Sequence, residues 1–188
     1  MGIIQNQTIK GTIYAYAGVG IGFVTTVLIY PRIFSTDEIG VLRLLVAYSA
    51  LFAQFATLGF TRVTTMMFPH FRDYTNKHNG FFYMTFMVGL LGFVLSLVIF
   101  LLLKPLILGA EAGKSGLFTT YFWFILPLIL FTLVFLVLDN YYKVLYNSVQ
   151  GTMLKDFVQR VIILVASLLF LAGWISFPDY VWIFLFAF

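Results

Sequence analysis

Long apolar runs alternate with short polar connections along this chain. The first, 11–30, lies between Lys10 and Arg32 and carries no charge; Pro31 is expected to end it. The second, 36–68, opens on Ser35, Thr36, Asp37 and Glu38, where Ser35 can cap the first turn and Glu38 can reach back to it. Pro69 is expected to stop that run. The third, 81–103, closes at Lys104 and Pro105. The fourth, 117–138, contains Pro127, which predicts a kink. The fifth, 161–177, lies between Arg160 and Pro178-Asp179. A helix needs roughly 20 mostly apolar residues to cross a bilayer, with about 17 as the lower limit, so all five read as complete spans. A sixth run, 180–188, rises only about 13.5 Å as helix, under half of the roughly 30 Å hydrocarbon core, and has no polar face to hold it at the surface. The pattern predicts an all-α, polytopic transmembrane helix bundle of five complete spans and a truncated sixth. On this reading residues 1–188 form one N-terminal transmembrane lobe of a larger protein.

Composition agrees with lipid as the solvent. The chain is 62% hydrophobic and 10% charged, with a mean hydropathy of +1.01, against about 45–50% and about 25% in soluble domains. The net charge of +4 does not indicate nucleic acid, because the cations sit singly between apolar runs, as topology determinants do. There is no cysteine, hence neither disulfides nor a thiolate metal site. Placing the N-terminus in the cytoplasm puts Lys10, Arg72, Lys77, Lys143, Lys155 and Arg160 inside and Arg32, Lys104 and Lys114 outside. That distribution, six against three, predicts a multi-pass protein with a cytoplasmic N-terminus. The longest connection, 139–160, reads as an extension of the fourth span folding back about Gly151.

Small residues recur every three or four positions in two runs: Gly11, Ala15, Gly18 and Gly22 in the first, Thr85, Gly89, Gly92 and Ser96 in the third. Such faces let helix backbones approach closely. They read as packing surfaces, or as smooth faces on which helices slide. In the second run Arg43, Ala47, Ala50, Gln54, Thr57, Thr61 and Thr65 form a polar or small stripe with Arg62 on its flank. Leu45, Tyr48, Phe52, Phe55, Val63 and Met66 lie opposite. The polar side is expected to face a bundle interior or a wet cavity. Gln54 is placed near mid-membrane, as an interhelical hydrogen-bonding group or a cavity group. Arg62 reads either as a side chain snorkelling to the surface or as an anion contact, and Arg43 as interfacial. His70, Asp73 and His78 match no metal spacing, and no nucleophile–base pair or phosphate loop is present. Asp139 and Lys143 read as a pair at one helix end. Nothing in these residues points to an enzyme, a metal or a cofactor.

The segment Tyr30-Pro-Arg-Ile-Phe-Ser-Thr-Asp-Glu-Ile-Gly-Val-Leu-Arg-Leu-Leu, followed by Thr57-Leu58-Gly59-Phe60-Thr61-Arg62, resembles the start of bacterial polysaccharide (O-antigen) flippases. These belong to the multidrug/oligosaccharidyl-lipid/polysaccharide exporter superfamily. The resemblance covers about the first 80 residues. It implies two six-helix lobes around a central cavity, and alternating access that carries a polyprenyl-diphosphate-linked oligosaccharide across the bacterial inner membrane. It also implies that this chain is most of the N-terminal lobe, working with a C-terminal lobe of the same protein. Some relatives line the cavity with several cations, whereas the first run here has none inside it. A drug or cation exporter of the same fold is a second reading, opposed by the placement of every acidic residue at a run end or in a connection. A non-transporting scaffold subunit is a third, under which Gln54 and Thr57 need not meet water.

Overall fold

The computed structural model describes residues 3–72, 80–111 and 116–188. Among these residues every regular element is helical. Four helices are long and apolar enough to cross a membrane: Gln7–Ile33, Thr36–Ala56, Phe81–Gly109 and Gly116–Val144. Helix closes all backbone hydrogen bonds within one segment, which lipid requires. The chain divides into two compact units, Met1–Leu42 with Asn147–Phe188, and Arg43–Tyr146.

In the first unit, helix α1 (Ile3–Phe23) continues through a widened segment, Val24–Ile29, into α2 (Tyr30–Ile33). Pro31 therefore does not end the first helix. The Tyr30 N–H bonds the Thr25 carbonyl, five residues back, and this wider turn leaves room for a proline that cannot donate and would crowd an ordinary turn. Thr25 and Thr26 donate their hydroxyls to Ile21 and Gly22 carbonyls at 2.9 and 2.7 Å. Phe34 is extended, and the reciprocal cap predicted at Ser35 and Glu38 forms, with Ser35 N donating to Glu38 Oε2 at 2.8 Å and Glu38 N to Ser35 Oγ at 3.3 Å.

The fifth run differs more. Helix α8 (Val149–Thr152), a second widened segment (Met153–Val158) and α9 (Gln159–Leu171) form one helical stretch. It begins well before position 161, passes through Gly151, and stops before position 177. Gly173 in the left-handed region, at φ 74°, ends it, with Trp174 N donating to Leu169 O at 3.1 Å. Because Lys155, Asp156 and Arg160 fall inside this stretch, it is not one of the four uniformly apolar crossing helices. Helix α10 (Phe177–Phe186) follows, capped by Ser176 and Asp179 with Pro178 in its first turn. Tyr180 is fully buried; its hydroxyl bonds Tyr30 at 2.8 Å and Ser167 at 3.3 Å. Phe34 packs against Phe170, Phe177 and Tyr180.

In the second unit, the expected single helix over 36–68 is two. Helix α3 (Thr36–Ala56) ends, Leu58 and Gly59 take left-handed backbone at φ 50° and 69°, and α4 (Phe60–Phe71) begins. The Thr57 hydroxyl donates to the Gln54 carbonyl at 2.8 Å, competing with the helix ladder, and Gly59 accepts the left-handed turn without steric cost. Pro69 lies near the end of α4 rather than after a helix. Helix α5 (Phe81–Glu111) runs past Pro105, with Lys104 over the Trp123 ring at 4.6 Å. Helix α6 (Gly116–Tyr121), a tight turn (Phe122–Phe124) and α7 (Ile125–Val144) follow. The irregularity predicted at Pro127 falls in that tight turn, where an ordinary ladder would need the N–H that proline lacks. Lys143 pairs with Asp139 at 2.5 Å.

The buried face of α5 reads Phe81, Thr85, Gly89, Gly92, Ser96 and Phe100. Ser96 Oγ donates to the Phe52 carbonyl at 2.9 Å, and Phe52 meets Phe100 edge to face. Gly92 lies directly on the Ala56 carbonyl, while a methyl at Gly89 would reach only Val137 Cγ2, at 3.3 Å. The opposite side of α5 is a continuous exposed apolar surface, including Leu91, Leu95, Val98 and Leu102, as a lipid-facing helix requires. Asp73, Lys77, His78 and Lys114 lie outside the described residues.

Candidate functional site

The glycine face of α1 has a partner that its own pattern does not name. Gly18 packs on the backbone carbonyl of Asp156, and a methyl at Gly22 would come within 2.6 Å of Arg160 Nη1. Arg160 Nη1 donates to the Gly18 carbonyl at 2.7 Å. Gly18 opposite Asp156, Gly22 opposite Arg160 and Phe34 against Phe170 set the two helical stretches parallel. Only glycine allows this approach, since any side chain at position 18 would push the two backbones apart.

This alignment relocates a charge. Gly18 stands eleven residues from one end of the crossing helix Gln7–Ile33 and fifteen from the other. At the helical rise that is about 16 and 22 Å. Arg160 is thus level with the middle of a crossing helix, not in a connection, and Lys155 and Asp156 precede it by about one turn. Removing Lys155 and Arg160 from the cytoplasmic side leaves four cations against three, so the charge asymmetry behind the predicted orientation largely disappears. Among the described residues no carboxylate lies within ion-pairing distance of Arg160. A guanidinium has five N–H donors, and its fork matches the oxygens of carboxylates and phosphates. At one end of the same helix pair, Gln7, Thr8, Gly11, Thr12, Ala15, Ser148, Val149 and Thr152 line a cleft of about 400 Å³ with hydroxyl, amide and small groups. Arg160 escapes sequence reading because an apolar run starts right after it, which makes it look like a flank. The available signal was the glycine face, which called for a closely packed partner.

The stripe expected on the second run does not survive as one face. Arg43, Ala47, Ala50 and Gln54 are exposed along α3. Gln54 sits in the last turn of that helix rather than at the middle of a longer one. Leu45 and Phe52 are buried while Phe55 is exposed, so within this chain part of the apolar side of α3 turns inward and the polar side is left uncovered. The reason is the aromatic cluster of Phe52, Phe100 and Phe122, which fills the space beneath it. Beyond the break, Arg62, Thr61 and Thr65 are exposed on α4, whereas Thr57 is buried. The Thr61 carbonyl accepts Asn140 Nδ2 at 2.9 Å. The structure brings Thr57 and Thr61 together with Thr64, Thr85 and Asn140 around a small cavity, which the side chains of Arg43 and Gln54 do not line. Thr64 and Asn140 were not anticipated.

Fold and site together define an all-helical membrane protein with an arginine inside a close helix pair. Compared with known proteins, the chain matches no family model, no curated protein and no solved structure.

Proposed function

We propose that this chain is a transporter lobe that moves a lipid-linked oligosaccharide bearing a diphosphate across a bacterial inner membrane, with Arg160 as an anchor for the anionic group. The observation that carries this reading is Arg160 itself, level with the middle of a crossing helix and bonded to a backbone carbonyl. An ionisable group at that depth is costly, and it typically marks a pathway or a binding site. A diphosphate leaving water needs compensating charge and hydrogen bonds. The uncovered polar face of α3, running from Arg43 through Ala47 and Ala50 to Gln54, supports a second lobe or a water-filled cavity beside it, because a polar or small face on a membrane helix usually turns away from lipid. Arg62 and Thr61 on α4 add polar groups to the exposed surface. In this proposal the N-terminus is cytoplasmic, α9 belongs to the fifth span, and α10 to the truncated sixth.

The test is surface polysaccharide in a bacterial strain whose export depends on the reading frame carrying this chain. Arg160→Gln is expected to abolish export at normal protein abundance, and Arg160→Lys to retain part of it. Export lost only in proportion to folded protein would make Arg160 a structural clasp and sink the transport reading. Altered drug susceptibility with unchanged polysaccharide would instead favour a drug exporter. The chain has no cysteine, so Gln54→Cys can be labelled without background. Reactivity with a water-soluble thiol reagent well above that of Leu91→Cys is expected, and equal reactivity would favour a scaffold.

A further inference from the structure

The alignment that gives Arg160 its depth also gives one to an acid. The Asp156 backbone packs on Gly18, so its carboxylate starts near the middle of a crossing helix and not in a connection. Of the carboxylates whose side chains are described, Asp37, Glu38 and Asp179 lie in the first turns of helices, and Asp139 pairs with Lys143. Asp156 is half-buried and makes no hydrogen bond or ion pair with any described residue. A carboxylate at that depth is costly, and such groups mark ion pathways and proton relays.

Its neighbours decide what it binds. Asp156 precedes Arg160 by four residues, a spacing at which side chains on a helix are neighbours. Gly18 is common to both, since Arg160 Nη1 donates to the Gly18 carbonyl at 2.7 Å. Lys155 adjoins Asp156 in the chain and is exposed. On α1, Tyr14 sets its ring 5.8 Å from that of Phe157, Tyr16 is exposed, and Lys10 stands about two turns toward the N-terminus from Gly18. When Arg160 holds no outside anion, ionised Asp156 is a counter-charge one turn away. A phosphate on Arg160 takes over that part and repels the second negative charge, with little solvent to screen it. Taking up a proton removes the repulsion. A metal ion would need about six oxygen ligands, and no cluster of acids or histidines surrounds Asp156 among the described residues; a proton needs only the carboxylate. We propose that Asp156 is a proton-binding site linked to the anion on Arg160, so that the two bind together and leave together. This rests on the reading of Arg160 as an anion site. By linkage, each ligand favours the other by the same factor.

Calorimetric titration with farnesyl glucosyl diphosphate tests it, on protein made from the whole reading frame carrying this chain and held in mixed micelles. Both phosphates of that probe are diesters and stay ionised, so a pH response belongs to the protein. Wild-type affinity is expected to rise by up to about tenfold per unit as pH falls, and the binding heat to vary with the ionisation enthalpy of the buffer, as proton uptake requires. Asp156→Asn should bind at least as tightly as the wild type with neither response, and Asp156→Glu should keep both. Wild-type binding that ignores pH and buffer would overturn the proton link while leaving Arg160 as an anion site. A pH response that persists in Asp156→Asn would assign the proton elsewhere and overturn it too, as would affinity set by sodium concentration instead of pH. No binding to the wild type, or equal binding to Arg160→Gln, would sink the anion reading and the link with it.

Discussion

Replacing Gly92 by alanine tests whether close backbone approach holds the second unit together. A methyl at position 92 overlaps the Ala56 carbonyl oxygen and stands 2.8 Å from its carbon, where ordinary contacts begin near 3.4 Å. Both obstacles are backbone, so no side chain can swing aside, and clearing the oxygen, which the methyl would meet at 1.8 Å, requires α5 to retreat from the end of α3 by more than about 1 Å. The Ser96 hydroxyl, now 2.9 Å from the Phe52 carbonyl, would then lie beyond about 3.5 Å, out of reach of a useful hydrogen bond. Overpacking costs about 1–3 kcal/mol, and a weakened interhelical hydrogen bond in a membrane adds about 0.6–1 kcal/mol. Gly92→Ala is expected to destabilise by about 2–4 kcal/mol on these terms. Two controls set the scale. Gly89→Ala meets only the tip of Val137, which can rotate, and should cost less than about 1 kcal/mol. Gly109→Ala meets nothing and should be neutral or stabilising by up to about 1 kcal/mol through lower backbone entropy. Reversible unfolding of the chain in mixed micelles, titrated with a denaturing detergent, measures all three. If Gly92→Ala fell within about 0.5 kcal/mol of Gly109→Ala, the close-packing argument would be wrong.

The first unit gives a parallel contrast: Gly18→Ala, blocked by the Asp156 carbonyl, should destabilise more than Gly22→Ala, blocked only by the movable end of Arg160, in the same unfolding assay. Ser35→Ala removes one half of the reciprocal cap on α3 and should cost about 1 kcal/mol, whereas Thr36→Ala should cost far less. Asp179 accepts from the Ser176 hydroxyl and backbone N–H, which holds its carboxyl below the usual range. A depressed carboxylate pKa stabilises the fold above its unfolded value, and that contribution disappears as pH falls through the folded one. Ser176→Ala should move the Asp179 NMR titration upward, and an unmoved titration would remove the cap from the explanation.

What the sequence determined was the solvent and the secondary structure class. Apolar runs of crossing length have few other uses, and helix is the form a single segment can take in lipid, so the crossing helices at 11–30, 81–103 and 117–138 were legible within a few residues at most boundaries. The cap at Ser35 was legible too, because capping is local chemistry between residues three apart. Pro31, Pro69 and Pro105 misled the reading of helix ends: a widened turn at Val24–Ile29 absorbs the first, and the other two lie inside helices. The break at Leu58 and Gly59 was written in Thr57 and Gly59, but the unbroken hydrophobicity around it hid the signal. Two further facts required tertiary structure. Which side of α3 turns inward depends on the aromatic residues of α5 and of the turn before α7. The depth of Arg160 depends on α1 and α9 lying parallel with Gly18 and Gly22 against it. Depth is a relation between helices, and a hydrophobic run measures only itself. That is why an arginine beside an apolar run read as a flank until its partner helix was in place.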